Sequence, residues 1–208
     1  MVPHYAPRWR RRAAHRPKEI IAAALEVFAE HGFARARLDD IAKAAGVSKG
    51  ALYLYFETKQ DLFKAVVQDA IEPGLLKIRS DAATEMPFDH AARLGIGVLV
   101  SAIQANPRIG GVVKLIIAES RNLPELALIW HQTVVVPLVS LMADLIRSRQ
   151  QSGEVRSGDP ELFAMGLLGP LVFGLLWRET FEPVGAKPIQ LETLAFQHLA
   201  TVIRGMKA

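Results

Sequence analysis

The sequence contains no cysteine among its 208 residues. Disulfide bonds and thiolate metal ligands are therefore excluded, and a reducing cytoplasm is the compartment that fits such a chain. Aromatic residues are also few, at 7% of the chain. Hydrophobic residues nevertheless make up 50%, which is enough for one large domain or for a small domain joined to a larger one.

The residue patterns of common enzyme sites are scarce as well. The 6 histidines are scattered along the chain, and none stands in a His-Glu-x-x-His or similar metal-ligand spacing. The chain has no glycine-rich loop of the kind that cradles phosphates and no cysteine nucleophile. We therefore expect a protein that is not an enzyme and that uses no metal ion and no cofactor.

Positive charge is concentrated in the first third of the chain. Residues 1–64 hold 12 lysines and arginines against 7 acidic residues, whereas residues 65–208 hold 13 against 14. A basic excess of this kind is typical of nucleic-acid binding, although a solvated basic surface would explain the same charge.

The N-terminal residues 1–16 form a basic arm in our interpretation. Four arginines lie between residues 8 and 12, no acidic residue precedes Glu19, and the stretch shows no apolar period. We expect a mobile arm that follows the DNA backbone or enters a neighbouring minor groove. A disordered tail without a role is the alternative.

Residues 17–64 predict a compact set of short helices. Pro17 suits the first position of a helix whose apolar stripe runs to Phe28, and Gly32 follows that helix. A second, shorter stripe begins at Leu38 and ends at Gly46.

The third helix follows the second almost at once. Ser48 can cap it by accepting a backbone N–H, and we expect it to run to about Tyr55. Thr58 and Asp61 then have the spacing of a capping box for a fourth helix. So short a connection between two helices indicates a helix-turn-helix in which residues 48–55 form the presented surface.

Residues 65–208 also read as helices, and no alternating strand pattern of useful length is present. The predicted fold is all-α, with an N-terminal three-helix helix-turn-helix DNA-binding domain and a C-terminal helical ligand-binding and dimerisation domain. We expect a kink or break at Pro73-Gly74 and another at Pro137. The predicted later helices are 88–105, 108–121, 124–151, 160–181 and 188–206.

Residues 162–177 are uncharged and apolar. The stretch is shorter than the about 20 residues that a membrane span needs, and glycines and a proline interrupt it. We expect it to be buried in protein, against a second copy of the chain, and we expect no membrane association. A membrane-associated helical protein is the alternative.

The stretch "AGVSKGALYLYF" at residues 45–56 carries a specific resemblance. Together with Ile41-Ala42, Lys59 and Leu62, it resembles the helix-turn-helix of the TetR/AcrR family of repressors. The resemblance implies a cytoplasmic homodimer that reads a palindromic operator in double-stranded DNA. It also implies a small-molecule effector, which we expect to be hydrophobic, in the C-terminal domain, and dimerisation through the last two helices. A helix-turn-helix regulator without any ligand is the alternative.

Two sets of candidate site residues follow. Ser48 and Gly50 keep the tip of the third helix slim. Lys49, Ala51 and Tyr53 are placed to read bases, while Tyr55 and Lys59 are placed to contact phosphates. Arg37 stands where the family usually has a hydroxyl residue, so a side-chain cap is lost and a charged phosphate contact is possible. The ligand candidates on the central helices are Glu119, Arg121, Trp130, His131 and Met142.

Overall fold

A computed structural model describes residues 8–82 and 86–208. These residues form ten α-helices and no β-strand, so the predicted all-α class is confirmed for the part of the chain described. The helices are α1 (Arg8–Arg35), α2 (Leu38–Ala44), α3 (Lys49–Tyr53), α4 (Lys59–Ala82), α5 (Phe88–Ala105), α6 (Ile109–Glu119), α7 (Pro124–Trp130), α8 (Val136–Gln151), α9 (Pro160–Thr180) and α10 (Leu191–Met206). The chain divides into two compact units, residues 1–66 and residues 67–208.

Helix α1 begins earlier than the sequence predicted. It starts at Arg8, so Pro17 lies inside the helix instead of at its first position. The arginine- and alanine-rich stretch before the proline has a high intrinsic helix propensity, which accounts for the difference. Only residues 1–7 of the predicted arm lie outside the described residues. The regular helix is interrupted at Gly32, whose φ of 76° favours a residue without a side chain.

The core of the first unit contains a cluster of three buried phenylalanine rings. The ring centroids are 5.3 Å apart for Phe28 and Phe33, 5.7 Å apart for Phe28 and Phe63, and 5.5 Å apart for Phe33 and Phe63. Two of these contacts are edge-on, an arrangement that aromatic rings favour. The cluster joins α1 to α4 and supports the short helices between them.

The turn between α2 and α3 is built by Gly46. Its φ is 65°, and the N–H groups of Gly46 and Val47 donate to the carbonyls of Lys43 and Ala42, at 3.1 and 3.0 Å. This is the Schellman pattern, in which a glycine ends a helix in the left-handed region. Helix α3 ends at Tyr53, two residues before the predicted end.

The second unit has one continuous apolar core, to which α5, α6, α8, α9 and α10 all contribute. Gly174 lets α9 and α10 approach closely, since a Cβ at that position would lie 2.5 Å from Cδ1 of Leu191. The C-terminal end of α9 is also tied to the region of α6. Lys114 Nζ donates to the carbonyl of Glu179 at 2.6 Å, and Arg178 Nη2 donates to that of Pro107 at 2.7 Å.

The two predicted proline irregularities have different outcomes. Helix α4 continues through Pro73 without a break. Before Pro137, in contrast, the chain makes a π-helical turn over His131–Val135, in which the Val136 N–H donates to the His131 carbonyl. Proline has no N–H to continue the regular ladder, and the wider turn accommodates that loss.

Two helical stretches of the described residues are long and apolar enough to span a membrane by length and composition. They are Pro124–Gln151 and Pro160–Val184, with mean hydropathy 1.7 and 1.5, and α5 with α6, bent by 91°, would make a third if counted as one span. The second stretch contains residues 162–177. Its helix is longer than the uncharged run because Glu161, Arg178 and Glu179 extend the helix at the two ends.

Candidate nucleic-acid interface and apolar chamber

The N-terminal tip of α3 is capped as the sequence predicted. Ser48 has an extended backbone, and its Oγ accepts the N–H of Ala51 at 3.2 Å. Gly50 is exposed, and a Cβ built on it would meet nothing within 4 Å. Packing within the described chain therefore does not require a glycine at this position. The structural effect of Gly50 is to keep the exposed tip of α3 slim.

One side of α3 is anchored in the core and the other faces outwards. Leu52 is fully buried and Phe56 nearly so, as predicted. Tyr53 and Tyr55 are 43% and 40% exposed, and Leu54 between them is 84% exposed. Sequence reasoning missed Leu54, because an apolar residue beside Leu52 and Phe56 looks like core until the short helix is placed.

Lys49 is held by Asp39 across the helix-turn-helix. The Lys49 Nζ atom lies 2.8 Å from Oδ1 and 3.0 Å from Oδ2 of Asp39, which is in the first turn of α2. The same ammonium group lies 6.0 Å from the centroid of the Tyr53 ring. The hydrogen bond and charge of Asp39 raise the pKa of Lys49, so the group stays cationic. Arg37, the N-cap residue of α2, makes no side-chain cap and is exposed, as predicted.

Lys59 is used differently from what the sequence led us to expect. Its Nζ atom donates to the carbonyls of Phe33, Ala34 and Ala36 at 2.7, 3.2 and 3.0 Å, and lies 4.5 Å from the centroid of the Phe33 ring. An ammonium group has three N–H donors, so this arrangement leaves none for the predicted phosphate contact. Burial lowers the pKa of Lys59, whereas that of the exposed Lys49 is raised.

Residues 46–50 also have the letter spacing Gly-x-Ser-x-Gly of a hydrolase nucleophile turn. That chemistry requires a strand before the serine and a helix after it. Here the serine follows α2, and its hydroxyl oxygen caps α3. The Gly-x-Ser-x-Gly spacing here therefore belongs to a helix-turn-helix.

No group of three or more His, Asp or Glu residues among those described is arranged to hold a metal ion.

The second unit contains an apolar chamber of about 370 Å³. Helices α5, α6, α8 and α9 contribute to it, with residues such as Leu99, Ile103, Val113 and Leu171. Among the lining side chains, the Trp130 indole carries the single N–H donor. Chambers of this size and apolar character are typical of small-molecule sites.

Of the five ligand candidates, Trp130 lines this chamber. Met142 lies in the core beside a separate space of about 20 Å³. Glu119, Arg121 and His131 line neither the chamber nor this smaller space. Helical spacing alone could not place His131 and Met142, because the π-helical turn over His131–Val135 changes the rotation of the helix at this point.

Comparison with known proteins identifies the family. Residues 20–66 match the model of the bacterial regulatory proteins of the tetR family, and residues 94–190 match that of the AefR-like transcriptional repressor C-terminal domain. The chain belongs to the TetR family. Members of this family are transcriptional regulators, and this TetR-family chain is a DNA-binding transcriptional regulator with the helix-turn-helix in its N-terminal unit.

Relatives of this TetR-family chain agree over much of its length. The fatty acid metabolism regulator protein of Bacillus subtilis strain 168 is 28% identical over 145 residues, which are 69% of this chain and 73% of that protein. UidR of Escherichia coli K12 is 26% identical over 190 residues, 90% of each chain. The structure of FadR from Bacillus subtilis in complex with stearoyl-CoA shares the fold, with a TM-score of 0.75 at 22% identity, and covers 91% of this chain and 98% of its own.

Proposed function

We propose that this protein is a homodimeric repressor that binds a palindromic operator and leaves it when a small, largely apolar effector occupies the chamber. The observation that carries the proposal is the shape of α3. Leu52 anchors the helix in the core, while Lys49, Tyr53 and Leu54 face outwards. A helix tip of this kind suits the major groove of duplex DNA.

The chemistry of the side chains indicates which residues contact bases and which contact phosphates. We assign base reading to Lys49, Ala51 and Tyr53, and phosphate contacts to Tyr55 and Arg37. Backbone N–H groups at the start of α3, around Ser48 and Gly50, favour a phosphate oxygen because they lack partners within the helix. Leu54 joins this surface as an apolar contact for a thymine methyl group.

The dimer is supported by an apolar stripe along α9. The exposed residues Leu162, Met165, Gly169 and Val172 are three or four positions apart, so they share one face of the helix. Gly166 and Gly169 leave open space within the chain, where the backbone of a second copy could approach. A palindromic operator requires two reading helices related by two-fold symmetry, which such a dimer supplies.

The effector is supported by the chamber. Its apolar lining and volume of about 370 Å³ suit a small hydrophobic molecule. The chamber favours this proposal over a regulator without a ligand. The related FadR structure holds stearoyl-CoA, which supports a small-molecule site in a chain of this fold. Binding releases the operator only if the effector has a higher affinity for the DNA-free conformation.

We place this repressor in the cytoplasm and free of the membrane. Leu167, Leu171 and Leu175 of α9 are buried in the core of their unit, and the exposed stripe of the same helix is accounted for by a second copy. Flotation of the full chain with phospholipid vesicles tests this assignment. Material that remains with the vesicles in high salt would instead favour the membrane alternative.

The decisive experiment selects bound fragments from the source genome with the purified full-length protein. We expect the selected fragments to contain short, two-fold symmetric sites. The Lys49→Ala variant should bind these sites at least about tenfold more weakly than the wild type, as the loss of a good base contact would cause. Lys43→Ala, an exposed lysine in the last turn of α2, serves as the control and retains binding. Failure of the wild-type protein to bind any duplex in dilute buffer would contradict the proposal.

The dimer has a separate test. Val172→Glu places a charge in the α9 stripe, and we expect sedimentation to show a monomer that no longer binds the operator tightly. Leu128→Glu is the matched control, because Leu128 is an exposed apolar residue on α7, outside the stripe. If Val172→Glu remains dimeric, the stripe is not the interface.

A further inference from the structure

The apolar chamber of the second unit is incompletely closed by its own chain. Among the described residues that line it, four are exposed, namely Ile117, Met165, Gly169 and Val172. Met165 and Val172 are 49% and 45% exposed, so each borders the chamber and the solvent at once. The first of the four is on α6, which packs against α9, and the other three are on α9. The opening of the chamber therefore lies at α9.

The same part of α9 carries the apolar stripe that supports the dimer. Of the four stripe residues, Met165, Gly169 and Val172 line the chamber, and only Leu162 does not. A Cβ built on Gly169 would meet nothing within 4 Å, so the space outside this point of the helix is open. A second copy that rests on the stripe would therefore also lie over the opening of the chamber.

The exposed face of α9 is wider than the opening. Gly166 and Phe173 each follow a lining residue by one position, and both are exposed without lining the chamber. Leu162, 65% exposed, extends the face towards the start of the helix. A second copy would thus find solid surface around the opening, and it could close the chamber without filling it.

The chemistry of the opening suits an apolar cover. Isoleucine, methionine, glycine and valine bring no strong hydrogen-bonding side-chain group to it, and residues 162–177 carry no charge. An apolar ligand in the chamber of a single chain would stay in contact with water here. A second α9 placed over the opening would remove both the ligand and the surrounding side chains from water, which is favourable.

We propose that the effector chamber is completed by the α9 stripe of a second copy, so that the dimer binds the effector tightly and a single chain binds it weakly. The inference rests on the dimer and the effector of the proposed function. A second copy is the cover that fits, because an isologous contact brings the same stripe from both chains. Gly169 is the small residue at which the two helices would cross, between the larger Met165 and Val172.

This arrangement couples effector binding to dimerisation. Whatever binds the dimer more tightly than the single chain must strengthen the dimer by the same free energy. Stronger dimerisation does not conflict with release of the operator, since release depends on the conformation of the dimer. The inference therefore adds the second chain as part of the effector site.

The test measures dimerisation of the full-length chain with and without N-phenyl-1-naphthylamine. This probe is small, uncharged and apolar, and its fluorescence rises when it leaves water. Sedimentation of dye-labelled protein over a dilution series gives the dimer dissociation constant. With the probe at about ten times its own Kd, two completed chambers should lower that constant by about a hundredfold, through mass action at two sites. A site that is complete in one chain would leave the constant unchanged.

Two matched variants separate the dimer from the lining. Leu162→Glu and Leu128→Glu make the same change at exposed leucines that do not line the chamber, the first in the stripe and the second on α7. At a concentration at which sedimentation shows Leu162→Glu to be monomeric, we expect it to bind the probe at least about tenfold more weakly than the wild-type dimer. Leu128→Glu should remain dimeric and bind the probe normally. Circular dichroism checks that both variants are folded.

Two further variants place the probe in the chamber. Val139→Phe on α8 and Val113→Phe on α6 each add bulk at a buried lining position outside the stripe. We expect either variant to dimerise like the wild type when no probe is present. Probe binding should be weaker in both, and the effect of the probe on dimerisation should shrink with it. Undiminished binding in both variants would overturn the assignment to this chamber.

The outcomes distinguish this inference from the proposed function. A bound probe that leaves the dimer constant unchanged, or equal probe affinity in monomeric Leu162→Glu, overturns the shared site while the dimer and its operator stand. Absence of probe binding by the wild-type dimer overturns it as well, because a closed apolar chamber must accept such a molecule. A wild-type chain that is monomeric without any probe contradicts the dimer of the proposed function itself, and the shared site with it.

Discussion

The Lys49 ammonium nitrogen lies 2.8 Å from Oδ1 of Asp39, so the one cationic side chain of α3 is paired with the first turn of α2. In the free protein the pair holds Lys49 in one direction and offsets its charge. In the proposed complex, DNA contact by Lys49 competes with this carboxylate. We therefore propose that Asp39 acts against tight binding to any duplex, which favours discrimination between sequences.

Removal of the carboxylate should strengthen DNA binding. We expect Asp39→Asn to raise affinity for unrelated duplexes by about two- to fivefold, as for other exposed pairs, and to raise operator affinity less. Fluorescence anisotropy at several salt concentrations measures both. Asp40→Asn is the matched control, since it removes the same charge from the same helical turn without a described contact to Lys49. Equal effects of the two variants would show that the pairing itself has no role.

Lys59 should matter for stability more than for DNA contact. Lys59→Met removes three hydrogen bonds to the carbonyls that follow Gly32, and we expect a loss of about 1–3 kcal/mol in the free energy of unfolding. Lys64→Met, an exposed position on the same helix, should have little effect. Calorimetric unfolding measures the change.

Operator binding by the same variant distinguishes the two roles of Lys59. Well below the unfolding temperature, the salt dependence of binding by Lys59→Met should match that of the wild type. An unchanged unfolding temperature together with a salt slope reduced by about 0.9 per lost phosphate contact would restore the role predicted from the sequence.

We expect Gly50 to be needed for DNA binding and not for folding. Gly50→Ala adds a methyl group that meets nothing in the chain, and alanine is the better helix former by up to about 1 kcal/mol. We therefore expect the variant to be at least as stable as the wild type but to bind its operator more weakly, because the new methyl group faces the DNA in the proposed complex. Thermal unfolding and anisotropy on one preparation measure both quantities. A loss of stability would contradict this assignment.

The glycines of α9 should divide into two classes. Gly174→Ala would place a Cβ 2.5 Å from Cδ1 of Leu191, so that side chain must move. We expect overpacking to cost about 1–3 kcal/mol in stability, less the up to about 1 kcal/mol that alanine gains in helix propensity. Gly166→Ala meets nothing within the chain, so its effect should appear in the dimer dissociation constant instead. Sedimentation and urea unfolding of the two variants measure the difference. A stable, tightly dimeric Gly174→Ala would contradict the packing described for α9 and α10.

The caps and the turn of the N-terminal unit could be predicted from the sequence, whereas the start of α1 and the end of α3 were predicted wrongly. The Ser48 cap, the Thr58–Asp61 capping box and the turn at Gly46 depend on residues within a few positions of each other. Such interactions are decided by backbone geometry and by the side chains of neighbouring residues. The same holds for Leu52, whose burial follows from the apolar pattern of a short helix.

Contacts between distant segments could not be predicted in this way. Lys59 reaches carbonyls that lie 23 to 26 positions earlier in the chain, and nothing in its neighbouring sequence indicates them. The Lys49–Asp39 pair joins two helices whose relative placement depends on the turn at Gly46.

The sequence by itself determined that this chain is helical, that it carries a helix-turn-helix, and that Ser48 caps a third helix whose Leu52 lies in the core. These properties follow from periodicity, caps and turns, which act over short stretches of chain. Only the tertiary structure decided which lysine is exposed and which is built into the fold, and which apolar residues enclose a chamber. A cavity is the space left when several helices pack, so its lining depends on the relative positions of residues such as Gly74 and Ala102 that are far apart in sequence.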